Sequence, residues 1–242
     1  RLRSWKQRLN TKRKSKLSMK TQRAEEMVNY NDIYKKVKDK SPDTVLVAVS
    51  KTKPIEAIME AYQDGARIFG ENRVQEIVAK FSQGKKEDMK VYLIGQLQSN
   101  KVKKAVLYAD RIESVDSISL LDKINAEAGK IHKKMEILLE VNSSFEEQKS
   151  GFKTREEVIE AARYASTLEN VLLVGLMTVG PLGGDDEKNR KAFLYTKEIF
   201  DEISKTHPLS VLSMGMSGDW ESAIECGSTE VRIGTAIFGG RS

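Results

Sequence analysis

Residues 45–54 read VLVAVSKTKP: five apolar side chains, then a serine, a lysine and a turn. Val, Leu, Val, Ala and Val without polar alternation suit a strand covered on both faces, as in a parallel sheet flanked by helices. Lys51 then stands at the carboxyl end of that strand, the edge where the βα loops of barrels and open α/β sheets gather their chemistry. The same residues also fit an ordinary surface lysine leaving a strand. Lys53 carries the same charge but precedes Pro54, so it belongs in the loop.

Outward from this stretch the pattern repeats. Strands are read at 45–50, 67–70, 91–95, 111–115, 135–141, 172–178, 209–214 and 231–233. Helices are read at 25–38, 55–64, 72–81, 98–108, 118–128, 154–166, 187–205 and 219–225. The punctuation agrees with this reading: Gly65 stops one helix, Asp116 and Ser117 cap another, and Thr154 with Glu157 forms a capping-box pattern. Eight strands at roughly 25-residue spacing, the first seven each followed by a helix, is the count that closes a (β/α)8 TIM barrel. An open, doubly wound sheet is the competing arrangement. No helix follows the eighth strand, so the helix at 25–38 is expected to cover that position, and no room remains for a second domain.

Composition narrows the chemistry. A chain of 242 residues, 39% hydrophobic, is long enough for one large core. A single cysteine, Cys226, excludes an internal disulfide framework and a thiolate-rich zinc site. With His132 and His207 as the only histidines, a centre built on several imidazoles is excluded too, and no metal is expected. No apolar run approaches the roughly 20 residues of a membrane span. The net charge of +6 is uneven: residues 1–20 hold nine of the 41 basic side chains and no acidic one, leaving 32 basic against 35 acidic in the rest. The basicity therefore belongs to a tail, residues 1–24. It reads as a solvated extension or sequence upstream of the natural start, as a basic arm for RNA or anionic lipid, or as a targeting segment. Residues 25–242 then make up the barrel.

Polar residues at strand ends form a short roster: Lys51, Glu71, Asn72, Gln96, Gln98, Asn142, Ser143, Thr178, Ser213 to Ser217, and Arg232 to Thr235. All should gather at one mouth. SMGMSGDW and RIGTAIFG place small and hydroxyl-bearing residues directly before helix starts, and in barrels the loops after strands seven and eight frequently bind phosphate. Ser217, Gly234 and Thr235 are the candidates, unless those glycines only make turns. A strand-end lysine opposite a phosphate site suggests a Schiff base with a phosphorylated aldehyde, either a sugar phosphate or pyridoxal phosphate. Arg232 weighs toward the second, because an arginine against the ring nitrogen keeps it unprotonated and weakens the ring as an electron sink.

Six ordered motifs, VAVSKTKP, FGENRVQE, IGQLQSNK, GLMTVG, SMGMSGDWESAI and EVRIGTAIFG, resemble those of the pyridoxal phosphate homeostasis proteins, the YggS or PROSC family. The resemblance runs from Val45 to Arg241. It implies one barrel similar to the amino-terminal domain of alanine racemases, with pyridoxal phosphate on Lys51. Arg232 would face the ring nitrogen, Ser217, Gly234 and Thr235 would hold the phosphate, and Asn72 would line the pocket. Tyr92 stands where the family commonly has a histidine, which puts any role of that imidazole in doubt.

The expected function is therefore a cytoplasmic, monomeric binder of pyridoxal phosphate that supplies pyridoxal phosphate-dependent apoenzymes and balances vitamin B6 and amino-acid pools. The basic tail leaves an organellar address open. No reaction of its own is implied, because alanine racemases take a second base from another domain that this chain lacks. A weak pyridoxal phosphate-dependent amino-acid racemase is the alternative. Nucleic acid would enter only through residues 1–20.

Overall fold

In the computed structural model, residues 29–181 and 183–240 are described. The basic tail and the first residues of the expected helix at 25–38 lie outside them. The chain runs α1 (Tyr30–Lys40), β1 (Val45–Val49), α2 (Ile55–Gln63), β2 (Ile68–Glu71), α3 (Val74–Phe81) and β3 (Lys90–Leu93). A 3-10 turn (Ser99–Lys101) leads into α4 (Val102–Tyr108), β4 (Arg111–Val115), α5 (Ile118–Gly129), β5 (Met135–Val141) and α6 (Arg155–Ala165). It ends with β6 (Val171–Thr178), α7 (Asp186–Ser204), β7 (Val211–Ser213), α8 (Trp220–Glu225), β8 (Glu230–Ile233) and the short α9 (Thr235–Phe238).

The eight strands close into a barrel in sequence order, every neighbour parallel. The open-sheet alternative is thereby removed. Closure joins β1 to β8 with Val45 opposite Glu230 and Val47 opposite Arg232. As expected, α1 covers the place of an eighth outer helix: it buries Tyr30, Ile33 and Val37, and the Asn29 N–H donates to Ile237 O at 2.8 Å. The helix layer is tied down by local chemistry. Thr154 and Glu157 exchange side chain and backbone bonds as a capping box, and Ser117 Oγ accepts from the Leu120 amide.

Two side-chain sets follow from the period of two along each strand. One faces the helices and makes the apolar layer that holds Leu46, Ala48, Phe69, Ile112, Ile137, Leu139 and Ile233. The other faces the barrel axis, and here it is charged: Arg111, Glu113, Glu230 and Arg232 are all buried. Backbone contact is close at β6–β7, where a Cβ on Gly175 would stand 1.7 Å from Val211 O. Only glycine fits there.

Candidate functional site

A cavity of about 490 Å³ opens at the carboxyl ends of the strands. All six residues singled out by sequence, Lys51, Asn72, Ser217, Arg232, Gly234 and Thr235, line it. Two cations meet in that space, and they differ in how they are held. Lys51 has no hydrogen-bond or ion-pair partner among the described residues. Arg232, 3% exposed, is fixed twice: Nη1 donates to Ser213 Oγ at 2.7 Å and Nη2 to Thr178 O at 2.8 Å. Thr178 is held in turn, since its hydroxyl donates to Val141 O at 2.8 Å and lies 2.6 Å from Ser143 Oγ. A guanidinium so braced presents its remaining donors in a set direction.

The loops after β7 and β8 supply the small residues. Gly234 precedes α9, and a Cβ there would meet Val49 O at 3.1 Å, so the absent side chain keeps the cavity wall open beside β1. Ser217 Oγ accepts from the Ala236 amide at 3.5 Å, which brings the two loops together.

Sequence reasoning missed Glu140 and Ser150, which also line the cavity. The loop after β5 folds back so that Phe152 N–H donates to Glu140 O at 2.9 Å, and Ser150 Oγ then donates to Glu140 Oε1 at 2.7 Å. Burial raises the Glu140 carboxyl above its ordinary value, against the Ser150 bond that lowers it. The only sign in the sequence was a glutamate inside the apolar run of β5.

Several strand-end residues do not reach the cavity. Glu71 is the last residue of β2 and not the first of the loop, so the two-residue period turns it toward the helices. There its Oε1 accepts from Ser50 Oγ at 2.6 Å and from Lys80 Nζ at 2.8 Å. Ser143, Thr178 and Ser213 serve behind Arg232 instead. Gln96 lines the cavity, whereas Gln98 and Asn142 do not. Lys53, as expected, is outside: its amine donates to Gly240 O at 2.8 Å.

Beneath the cavity the barrel axis carries a polar column. Ser213 Oγ donates to Glu113 Oε2 at 2.9 Å, and Arg111 Nη1 lies 3.6 Å from Glu113 Oε1 and donates to Glu230 Oε2 at 2.9 Å. Tyr92 closes this column and lies outside the cavity, its ring 4.2 Å from the Arg111 guanidinium carbon. His132 and His207 do not line the cavity either. Cys226 is buried, and burial raises its thiol.

Comparison with known proteins follows the same lines. Residues 29–242 match the family described as alanine racemase, N-terminal domain. The chain is 38% identical over 213 residues to the pyridoxal phosphate homeostasis protein of Haemophilus influenzae, covering 86% of this chain and 90% of that one. It is 38% identical over 209 residues to the human protein of the same description, covering 81% and 76% of the two chains. Among solved structures, PipY of Synechococcus elongatus with pyridoxal phosphate bound superposes with a TM-score of 0.80 at 35% identity, covering 87% of this chain and 100% of that chain.

Proposed function

The chain belongs to the pyridoxal phosphate homeostasis protein family, built on the alanine racemase N-terminal domain, and from that premise we propose that it holds pyridoxal 5′-phosphate as a Schiff base on Lys51. The observation that carries the reading is the meeting of an unpartnered lysine and a braced arginine in one cavity with Ser217, Gly234 and Thr235. The cavity volume of about 490 Å³ lies within the usual range for small-molecule sites. When bound, the group supplies an aldehyde that condenses with an amine, releasing water, and an electron-withdrawing pyridine ring.

The chain's own residues divide the work. Lys51 gives the amine. Ser217, Gly234 and Thr235 would take the phosphate through a hydroxyl, an open wall and a second hydroxyl, and Asn72 closes one side. Arg232 would face the ring nitrogen, and it has only donors to offer there. Its bonds to Ser213 and Thr178 O keep it from swinging toward the phosphate.

A holding role is also supported by what lines the cavity. Among the described residues it has no tyrosine, histidine or cysteine, and its one carboxyl, on Glu140, is held by Ser150. We read the protein as a carrier that passes the cofactor to apoenzymes and so balances vitamin B6 and amino-acid pools. A titration with pyridoxal phosphate tests it: an absorbance band near the visible edge should grow in the wild type and be absent in Lys51→Ala. A wild-type protein that takes up no added cofactor sinks the reading. Chiral analysis of alanine after prolonged incubation would expose a racemase.

A further inference from the structure

We propose that Glu76 and Lys80 of α3 are positioning residues for Lys51, holding the peptide planes on both sides of it so that its amine is aimed into the cavity. The proposal rests on the reading of Lys51 given above.

The observation is a closed ring of hydrogen bonds around one Cα. Lys80 Nζ donates to the carbonyl of Ser50 at 3.0 Å and to Glu76 Oε2 at 2.9 Å. That same Glu76 oxygen accepts from the amide of Thr52 at 2.7 Å. The peptide that precedes Lys51 is thus held by its oxygen, and the peptide that follows is held by its N–H. Because each peptide unit is planar, only φ and ψ lie between those two planes. Fixing both planes fixes the direction in which the Lys51 side chain leaves the backbone.

The ring is anchored on the fold side as well. Ser50 N–H donates to Gly70 O at 3.0 Å, and Ser50 Oγ and Lys80 Nζ both donate to the buried Glu71 Oε1. The Lys80 side chain is 12% exposed and the Glu71 side chain 0%, so these bonds are shielded from water. Neither Glu76 nor Lys80 lines the cavity. Their reach toward the site is therefore through the backbone of 50–52.

Thr52 shows why a clamp is needed. Its φ is +64°, the left-handed region, which a β-branched residue leaves unless surroundings hold it. The Glu76 bond is made to the amide of that same residue. Although burial acts to raise it, the bonds from Lys80 and the Thr52 amide bring the Glu76 carboxyl below its ordinary value, so it stays an ionised acceptor.

A plain staple between α3 and β1 would stabilise the fold without aiming anything, and the variants separate the two roles. In the full chain, Glu76→Ala leaves Lys80 its bonds to Ser50 O and Glu71. It should weaken pyridoxal phosphate binding about tenfold, read from the Schiff-base absorbance. Adding Thr52→Gly supplies a residue that adopts the left-handed conformation unaided. The double variant should recover affinity to within about threefold, while its melting temperature need not recover. Glu76→Gln retains an oxygen for the Thr52 amide and should bind like the wild type. If Glu76→Ala binds as the wild type does, or if Thr52→Gly restores nothing, the positioning role is overturned. Lys51→Ala is run alongside: a band that persists there refutes the reading of Lys51 itself, whatever Glu76→Ala does.

Discussion

Arg232 at the cavity floor and Glu113 in the middle of the barrel are joined through a single hydroxyl, that of Ser213. Ser213 Oγ accepts from the guanidinium N–H of Arg232, so its own hydroxyl hydrogen is donated to Glu113 Oε2. Below, Glu113 and Glu230 share Arg111, yet Glu113 Oε1 and Glu230 Oε1 find no hydrogen-bond partner among the described residues. One proton between the two acids would serve both oxygens. Burial first, and the neighbouring Glu230 second, push the Glu113 carboxyl well above its ordinary 4.5.

The pH dependence follows with a definite sign. Glu113 holds its proton in the fold at pH values where the unfolded chain releases it, so its contribution is complete below about pH 4.5 and is lost as pH rises through the raised value. Glu113→Gln is neutral throughout and can donate to Glu230. Urea unfolding at pH 5 and pH 8 should show a smaller stability difference in the variant than in the wild type. An equal difference would assign the slope to Glu71 or Glu140, whose carboxyls burial also raises.

Gly234→Ala should separate ligand affinity from stability. The backbone there, at φ −116°, accepts alanine, but the new methyl would press on Val49 O at 3.1 Å and Val49 Cβ at 3.2 Å. Binding of pyridoxal phosphate should weaken by about tenfold while unfolding free energy changes by no more than about 1 kcal/mol. Titration and denaturant melts on one preparation check both.

Gly175→Ala should have the opposite profile. A methyl 1.7 Å from Val211 O forces β6 and β7 apart at the pair that opens their register. A loss of about 3 kcal/mol or more is expected, at the upper end of overpacking costs. Circular dichroism melts would then show a large drop in midpoint or no cooperative transition.

Thr154→Ala removes the hydroxyl that accepts from the Glu157 amide at 3.2 Å. The cost should be about 1 kcal/mol, with Thr154→Ser close to the wild type. Cofactor binding should not change, since Thr154 is not among the residues lining the cavity.

Much of this architecture was legible in the chain. Short, largely apolar segments recurring between helical stretches located all eight strands, and listing the residues at their carboxyl ends brought out Lys51, Asn72, Ser217, Arg232, Gly234 and Thr235. Glu71 was misplaced because the second strand extends one residue further than read, and a shift of one exchanges the two faces of a strand. Glu140 was hidden because an acid in a largely apolar run gives no sign of the loop that folds back to meet it. The axial column escaped for another reason. Charges in strands read as solvent-facing, although the pairs Arg111 with Glu113 and Glu230 with Arg232, each two residues apart, put opposite charges on one face. Tyr92, where an imidazole was looked for, belongs to that column beneath Arg111.

The seam between β1 and β8 has a consequence in time. Lys51 follows β1, the first strand of the barrel, whereas Arg232 lies in β8, the last, with Gly234 and Thr235 directly after it, and the pairing of β1 with β8 brings them side by side. A chain still on the ribosome carries the lysine with nothing opposite it. On the proposed reading of Lys51, the two halves of the cavity meet only once β8 has paired with β1, so capture of a ligand waits on closure of the barrel.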